Sequence, residues 1–241
     1  MKLTFLGAGS TIFARNVIGD CMCSEVLRDS VFALYDIDGE RIEESRTILE
    51  AIRKNCGSYG RIECYVGEEN RKDALRGADF VVNAIQVGGY DPCTIIDFEI
   101  PKKYGLQQTI GDTLGIGGIM RALRTIPVMQ DFANDMAEVC PDALLLNYTN
   151  PMAMLSGYMQ RYTPVKTVGL CHSVQGTARM LASCMGIPYE DIDYTCAGVN
   201  HQAFYLKLER NGEDLYPLLR KTVFENEEIY NREQVRNEMF R

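Results

Sequence analysis

The sequence contains no tryptophan and only two histidines, His172 and His201, in 241 residues. Imidazole is the side chain that most readily carries a proton or a metal near neutral pH, so such chemistry would depend on these two positions. No apolar run approaches the eighteen or so residues that cross a bilayer, and Met1 leads into a strand-like segment rather than a signal peptide. We therefore expect a cytoplasmic protein with no membrane partner.

Basic clusters are also scarce, since 25 Lys and Arg residues stand against 33 Asp and Glu residues. The resulting net charge of −8 repels phosphate backbones, which argues against a nucleic-acid partner. Cysteine, in contrast, occurs nine times. Because the number is odd and no pair has CxxC spacing, we expect most of these thiols to be small buried hydrophobes in a reducing compartment.

Apolar strand-like segments alternate with amphipathic helical patterns over most of the chain. The strand segments are KLTFLG, VFALYD, IECYV, DFVVNAI, ALLLNY and VKTVGL. Alternation at this length is typical of right-handed parallel crossovers, so we predict an α/β fold with a Rossmann-type doubly wound parallel sheet. We assign residues 1–196 to this domain and residues 197–241 to the start of a second α+β domain. We also expect a kink or helix junction at Pro127 and a hairpin turn at Asn211-Gly212.

The segment GAGST follows the first strand and opens a helix, which is the context of a dinucleotide-binding turn. Gly7 and Gly9 would let the backbone approach a pyrophosphate, with Ser10 and Thr11 at the helix start. Asp36 ends the second strand, where a carboxylate accepts ribose hydroxyls and repels the 2′-phosphate of NADP. The third glycine of the usual pattern is replaced by isoleucine, so the motif is incomplete. We predict NAD binding here.

Polar residues follow the later strands, where parallel sheets place their ligands. We expect Asn83 to lie near the cofactor and Asn150 to bind substrate hydroxyls, although an Asn-Pro pair also starts a helix well without any ligand. Cys171 and His201 suit a divalent transition metal. The same two residues are also compatible with a buried thiol and a core histidine, and two residues alone do not decide between the two interpretations.

Six blocks together resemble glycoside hydrolase family 4, in order and over essentially the whole chain. They are GAGST, ADFVVNAIQVGGYD, GLQQTIGDTLGIGGIMRALRTIP, LNYTNPMAM, VGLCHSVQG and AGVNHQAFYL. The segments GGYDPC, CHSVQGT and NHQAFYLKLER are most similar to its α-galactosidase branch. The resemblance implies a lactate/malate dehydrogenase-like fold and glycoside cleavage with NAD and a divalent metal, usually Mn²⁺.

In such enzymes NAD transiently oxidises C3 of the sugar, which acidifies the C2 proton; the aglycone is eliminated, water adds and the hydride returns. The resemblance makes Cys171 and His201 the metal ligands, Asn150 a substrate residue, and Asp112 a support for the catalytic base. The phosphoglycosidase branch has an aspartate where this chain has His172. An imidazole can donate a proton to the leaving group, or His172 can simply hydrogen-bond near the metal.

The loop VGGYDPCTIIDF carries no basic residue, whereas phosphoglycosidases carry an arginine shortly after VGG. Asp91 and Asp97 would repel a phosphate, so we expect an unphosphorylated α-hexoside, an α-galactoside by resemblance, with glucuronides as an alternative. Family members are longer, and their second half supplies the tyrosine base and most of the interface of a homo-oligomer. The chain therefore resembles an amino-terminal fragment. Two rival interpretations are a 2-hydroxy-acid dehydrogenase and an inactive NAD-binding module.

Overall fold

The computed structural model describes residues 1–109, 113–232, 235 and 238. These residues form two compact units, residues 1–170 and residues 171–241. Each unit has its own hydrophobic core.

The first unit is built on a six-stranded parallel sheet with strand order β3-β2-β1-β4-β5-β6. Its strands are β1 (Lys2–Leu6), β2 (Val31–Asp36), β3 (Arg61–Val66), β4 (Phe80–Asn83), β5 (Leu144–Asn147) and β6 (Lys166–Gly169). This order is that of a dinucleotide-binding sheet, whose order reverses between β1 and β4. The predicted Rossmann-type fold is confirmed.

Helices cover both faces of this sheet. They are α1 (Thr11–Cys23), α2 (Gly39–Cys56), α3 (Arg71–Leu75), α4 (Ile95–Lys103), α5 (Ile116–Val139) and α6 (Met152–Tyr162). Successive strand residues face opposite ways, so Phe5 packs in the cluster with α1 and α2 while Leu6 packs in the cluster with α3, α5 and α6. Both faces are buried, as a parallel sheet requires.

Helix α5 runs through Pro127 without a break, so of the two predicted alternatives, a kink or a helix junction, the junction is not formed. Proline removes one N–H donor and leaves the carbonyl of Leu123 without its usual partner. Leu123 is exposed, so water can satisfy that carbonyl. The helix therefore tolerates the proline on its solvent side.

The second unit contains α7 (His172–Cys184), β7 (Asp193–Val199), β8 (Gln202–Arg210), β9 (Glu213–Asp214), α8 (Tyr216–Glu225) and α9 (Glu227–Tyr230). Its strands form an antiparallel sheet in the order β7-β8-β9. Leu181 of α7 packs with Leu208 of β8 and Leu219 of α8. Because of this packing α7 joins the second unit, whereas the sequence placed the domain boundary after residue 196. The predicted boundary stays a prediction, since packing alone does not define a domain.

The predicted hairpin turn is confirmed between β8 and β9. Asn211 and Gly212 both have positive φ, 52° and 82°. Such angles favour the Asn-Gly pair and match the twist of antiparallel strands.

Among the described residues, no helix is both long enough and apolar enough to cross a bilayer. A band of exposed large apolar side chains runs along α4 and α5 and their flanking residues. Its members are Ile95, Ile96, Ile100, Leu106, Leu114, Ile116, Ile119, Met120 and Leu123.

Candidate functional site

The glycine turn joins β1 to α1 at the carboxyl end of the sheet. Gly7 has φ +86°, and a Cβ at this position would lie 2.8 Å from the carbonyl oxygen of Ala84. The N–H groups of Gly7 and Ala8 both donate to the carbonyl oxygen of Tyr35, at 2.9 and 3.0 Å. Backbone hydrogen bonds to the end of β2 therefore hold the turn, and only glycine fits at position 7.

Asp36 ends β2 beside this turn. Its Oδ2 accepts the N–H of Gly9 at 2.7 Å, and its Oδ1 accepts the N–H of Asp38 at 3.2 Å. A Cβ on Gly9 would lie 2.7 Å from Oδ2, so the small residue is needed for this contact. A carboxylate has about four lone-pair positions, which leaves capacity for ribose hydroxyls.

Ser10 and Thr11 form the start of α1, as predicted. Ser10 is the N-cap, but its side chain makes no capping hydrogen bond. The Thr11 hydroxyl lies 3.5 Å from the carbonyl oxygen of Gly9, a weak contact. Both hydroxyls are half-buried beside the turn, where the first N–H groups of a helix favour an anionic ligand.

Asn83 is fully buried at the end of β4, opposite Asn147 at the end of β5. Asn83 Nδ2 donates to Asn147 Oδ1 at 3.0 Å, and Asn147 Nδ2 donates to Ser156 Oγ at 3.0 Å. We call this pair the asparagine ladder. Asn83 Oδ1 has no hydrogen-bond partner among the described residues, although it is buried. Such an acceptor is costly unless water or a ligand reaches it.

The ladder positions the loop that follows β5. Asn147 Oδ1 also accepts the N–H of Thr149 at 3.1 Å, and the Thr149 hydroxyl donates to the carbonyl oxygen of Ile85 at 3.1 Å. The next residue, Asn150, accepts the N–H of Met152 at 3.2 Å and so caps the start of α6. Its Oδ1 thus has the structural role considered for an Asn-Pro pair, while its Nδ2 makes no hydrogen bond to the described residues.

The loop after β4 is held by an arginine that the sequence did not single out. Arg124 of α5 donates from Nε to the carbonyl oxygen of Val87 at 3.1 Å. Its two terminal nitrogens contact the carboxylate of Asp97 at 3.1 and 2.6 Å. The bidentate hydrogen bonds to Asp97 raise the pKa of Arg124. Asp97 is buried and paired, so it is not the free repelling charge that the sequence suggested.

Of the asparagine ladder and the Arg124–Asp97 pair, only the ladder had a visible sequence signal. FVVN and LLLN are neighbouring strands that both end in asparagine, a pattern that points to the ladder. The Arg124–Asp97 pair had no such signal, because 27 residues separate its members. Tyr148, between the ladder and Asn150, packs its ring edge-on against Phe13 with 4.9 Å between centroids. Burial raises the pKa of this phenol.

The predicted metal residues lie in the second unit. Cys171 is the N-cap of α7, and its Sγ accepts the N–H of Ser173 at 3.4 Å. His172 is the first residue of α7 and is exposed; His201 is exposed in the turn between β7 and β8. The hydroxyl of Tyr205 on β8 donates to the carbonyl oxygen of Val174 in the first turn of α7. This hydrogen bond ties β8, the strand after His201, to α7, the helix that Cys171 caps.

Asn200, beside His201, has a buried Oδ1 without a hydrogen-bond partner in the described part of the chain. Across those residues, no group of three or more His, Cys, Asp and Glu side chains is arranged to hold a metal ion. Two donors do not complete the four-coordinate site typical of structural metal centres. Asp112, predicted to support the base, lies outside the described residues.

Family models match nearly the whole chain. The Family 4 glycosyl hydrolase model matches residues 2–187, and the model of its C-terminal domain matches residues 196–241. The chain belongs to glycosyl hydrolase family 4. The predicted resemblance is confirmed.

The family 4 relatives include an α-galactosidase of Bacillus subtilis, which is 53% identical over 99% of this chain and 54% of its own length. An α-galacturonidase of Thermoanaerobacterium saccharolyticum is 37% identical over 83% of this chain and 44% of its own length. The chain thus spans about half the length of the curated relatives it matches.

Solved structures show the same fold. A putative glucosidase of Bacillus subtilis aligns with TM-score 0.82 and 31% identity, covering 93% of this chain and 52% of its own. A 6-phospho-β-glucosidase of Thermotoga maritima, solved with manganese, NAD⁺ and glucose 6-phosphate, aligns with TM-score 0.79 and 25% identity over 93% and 53%. The Eimeria maxima lactate dehydrogenase shares the fold alone, with TM-score 0.67 and 16% identity over 99% and 66%.

Proposed function

We propose that the protein hydrolyses an unphosphorylated α-hexoside, an α-galactoside, with NAD and a divalent metal such as Mn²⁺. The observation that carries this proposal is the 53% identity to an α-galactosidase across 99% of the chain. The glycine turn with Asp36 beside it suits NAD, because a dinucleotide needs both close backbone approach and a ribose acceptor. When bound, NAD supplies a hydride acceptor and the metal supplies a Lewis acid.

In this proposal Gly7, Gly9, Ser10, Thr11 and Asp36 hold the cofactor. Asn83 acts through the asparagine ladder, since its side chain is fully buried. Asn150 offers its amide nitrogen to a sugar hydroxyl.

Cys171 and His201 supply a thiolate and an imidazole to the metal, with substrate oxygens and water as the other ligands. The sulfur of Cys171 accepts the N–H of Ser173 in the first turn of α7, an end of the helix where the dipole favours negative charge. His172, exposed beside it, donates a proton to the leaving group. Asp112 supports the catalytic base by resemblance, and the whole protein is a homo-oligomer in the cytoplasm.

The rival dehydrogenase function has only the shared fold in its favour. A dehydrogenase produces net NADH from a hydroxy acid, whereas the proposed hydrolase returns its hydride in each cycle. The two functions therefore differ in a measurable product.

The test joins this chain to the C-terminal remainder of the Bacillus subtilis α-galactosidase and assays p-nitrophenyl α-galactoside. We expect p-nitrophenol release that requires both NAD and Mn²⁺ and produces no net NADH. The 241-residue chain alone should bind NAD weakly and release little p-nitrophenol.

In the joined protein, Cys171→Ser removes the proposed metal ligand. The matched control is Cys64→Ser, which replaces an exposed thiol on β3. Cys171→Ser should abolish turnover and Cys64→Ser should preserve it. Net NADH formation from lactate or malate, without glycoside cleavage, would overturn the proposal.

A further inference from the structure

A small cavity lies in the first unit between α4, the start of α5 and the residue after Asn150. Its volume is about 30 Å³. The polar side chains around it include Thr94, Asp97, Gln108 and Arg121, and Pro151 closes one side. Because Pro151 directly follows the proposed substrate residue Asn150, the cavity adjoins the proposed sugar site.

Arg121 is the unusual member of this lining. It is half-buried, yet its guanidinium makes no ion pair and no hydrogen bond with the described residues, and only its backbone carbonyl oxygen accepts the Thr125 hydroxyl at 2.8 Å. Asp97, the one carboxylate among the described lining residues, is already held by both terminal nitrogens of Arg124. Burial lowers the pKa of Arg121, and nearby Asp97 opposes that effect. A desolvated guanidinium without a partner is costly, so the arrangement favours an incoming acceptor.

Arg121 and Arg124 stand one turn apart on α5 but have different tasks. Arg124 fixes the loop after β4 through Val87 and Asp97. Among the described residues, the two guanidinium groups and one carboxylate leave one net positive charge beside the cavity. That charge favours oxygen ligands with negative or partial negative charge.

The size of the cavity limits the ligand. A water molecule needs at least about 10–15 Å³ of such volume, so the cavity of about 30 Å³ has room for about two oxygen atoms. A carboxylate, or two neighbouring hydroxyls of a sugar ring, places two oxygens close together. A phosphate group carries more oxygens around its centre and does not fit.

We propose that Arg121 is a specificity-determining residue whose guanidinium binds two neighbouring oxygens of the sugar in this cavity. This inference rests on the proposed function, since it places the sugar beside Asn150. The oxygens come from the hydroxyls of a hexoside or the carboxylate of a hexuronide, and the charge favours the carboxylate. Gln108 assists, because its Oε1 accepts the N–H of Gly117 at 3.0 Å and its amide nitrogen remains as a second donor.

The test measures binding to the 241-residue chain by ligand-observed NMR, so it needs no turnover. The probes are D-galacturonate, methyl α-D-galactoside and D-galactose 6-phosphate, each with NAD present. Wild-type protein should bind galacturonate most tightly. Arg121→Gln should weaken the binding of galacturonate by about tenfold or more and the binding of the galactoside by less. The reason is that charge-assisted hydrogen bonds, which the carboxylate makes, are stronger than neutral ones. Arg121→Lys, which keeps the charge but loses the fork, should recover part of the galacturonate affinity.

The matched control is Arg46→Gln, which removes an exposed arginine paired with Glu43 on α2. It should leave all three affinities unchanged. NAD affinity should be the same in wild type and Arg121→Gln, which also confirms that the variant is folded. Equal sugar affinities in wild type and Arg121→Gln, absence of sugar binding in wild type, or a loss confined to NAD would each overturn the inference. Failure of the hydrolysis assay alone would count only against the proposed function.

Discussion

The two units place their candidate residues by different means. In the first unit, backbone geometry fixes the site: a glycine turn bonded to the end of β2, and two strand ends joined by the asparagine ladder. In the second unit, Cys171 and His201 lie at a helix start and at an exposed turn, and the described residues add no third donor. Contacts within the first unit therefore hold the candidate cofactor residues, whereas the proposed metal residues need further donors.

The first unit predicts a large penalty for any side chain at Gly7. Gly7→Ala combines positive φ with a Cβ 2.8 Å from a backbone carbonyl oxygen. We expect a loss of about 3–4 kcal/mol in the free energy of unfolding, measured by urea denaturation, and loss of NAD binding. Gly57→Ala is the control, since Gly57 also has positive φ but open space around its Cβ position. It should cost about 1 kcal/mol. Equal costs would show that packing against Ala84 does not restrict the turn.

Substitutions in the asparagine ladder should lower the free energy of unfolding nearly as much as Gly7→Ala does. Asn147→Leu leaves Asn83 Nδ2 and the N–H of Thr149 without the acceptor that they share. We expect a loss of about 2–3 kcal/mol, and a coupling of about 1–2 kcal/mol with Asn83→Leu in a double-mutant cycle. The control is Asn134→Leu, which removes an exposed hydrogen bond to Gln130 and should cost at most about 0.5 kcal/mol. Additive effects of the two ladder variants would mean that the strand ends do not act as a unit.

Asp36 tests the chemistry of the cofactor end rather than its stability. Asp36→Asn should weaken NAD binding by about tenfold. It should also narrow the difference in affinity between NAD and NADP, because the charge that repels the 2′-phosphate is lost. The affinities can be measured from the fluorescence enhancement of bound NADH and NADPH. The chain has no tryptophan, so tryptophan emission does not interfere with this signal. Asp38→Asn, two residues away, keeps its capping oxygen and should change neither affinity. A similar change in both variants would remove Asp36 from the site.

The smallest expected effect concerns the caps of the first two helices. Asp38 Oδ1 accepts the N–H groups of Glu40 and Arg41 at 3.0 and 3.2 Å, so Asp38→Ala should cost about 1 kcal/mol. Ser10 makes no such bond, and Ser10→Ala should be close to neutral in thermal unfolding. A marked loss from Ser10→Ala would indicate that the α1 cap forms in solution.

Much of the first unit could be predicted from the sequence because its determinants are local. Strand and helix periods gave the alternation, and the context of Gly7 gave the turn. The loop after β4 could not be predicted, because Arg124 and Asp97 meet only through the packing of α5 on α4. The sequence also carries no signal for the packing of α7 against β8, since an amphipathic helix does not encode which sheet it will cover. The sequence likewise gave no sign that Asn83 Oδ1 is buried without a hydrogen-bond partner among the described residues, because this depends on how β4 and β5 pair.

The asparagine ladder also fixes the alignment of its two strands. Asn83 faces Asn147 in the parallel register, so a shift by one residue would turn one amide toward the opposite helix layer. Insertions within either four-residue strand would therefore separate the two amides. An engineer exchanging loops around the proposed sugar site would need to keep β4 and β5 at their present lengths to retain the asparagine ladder.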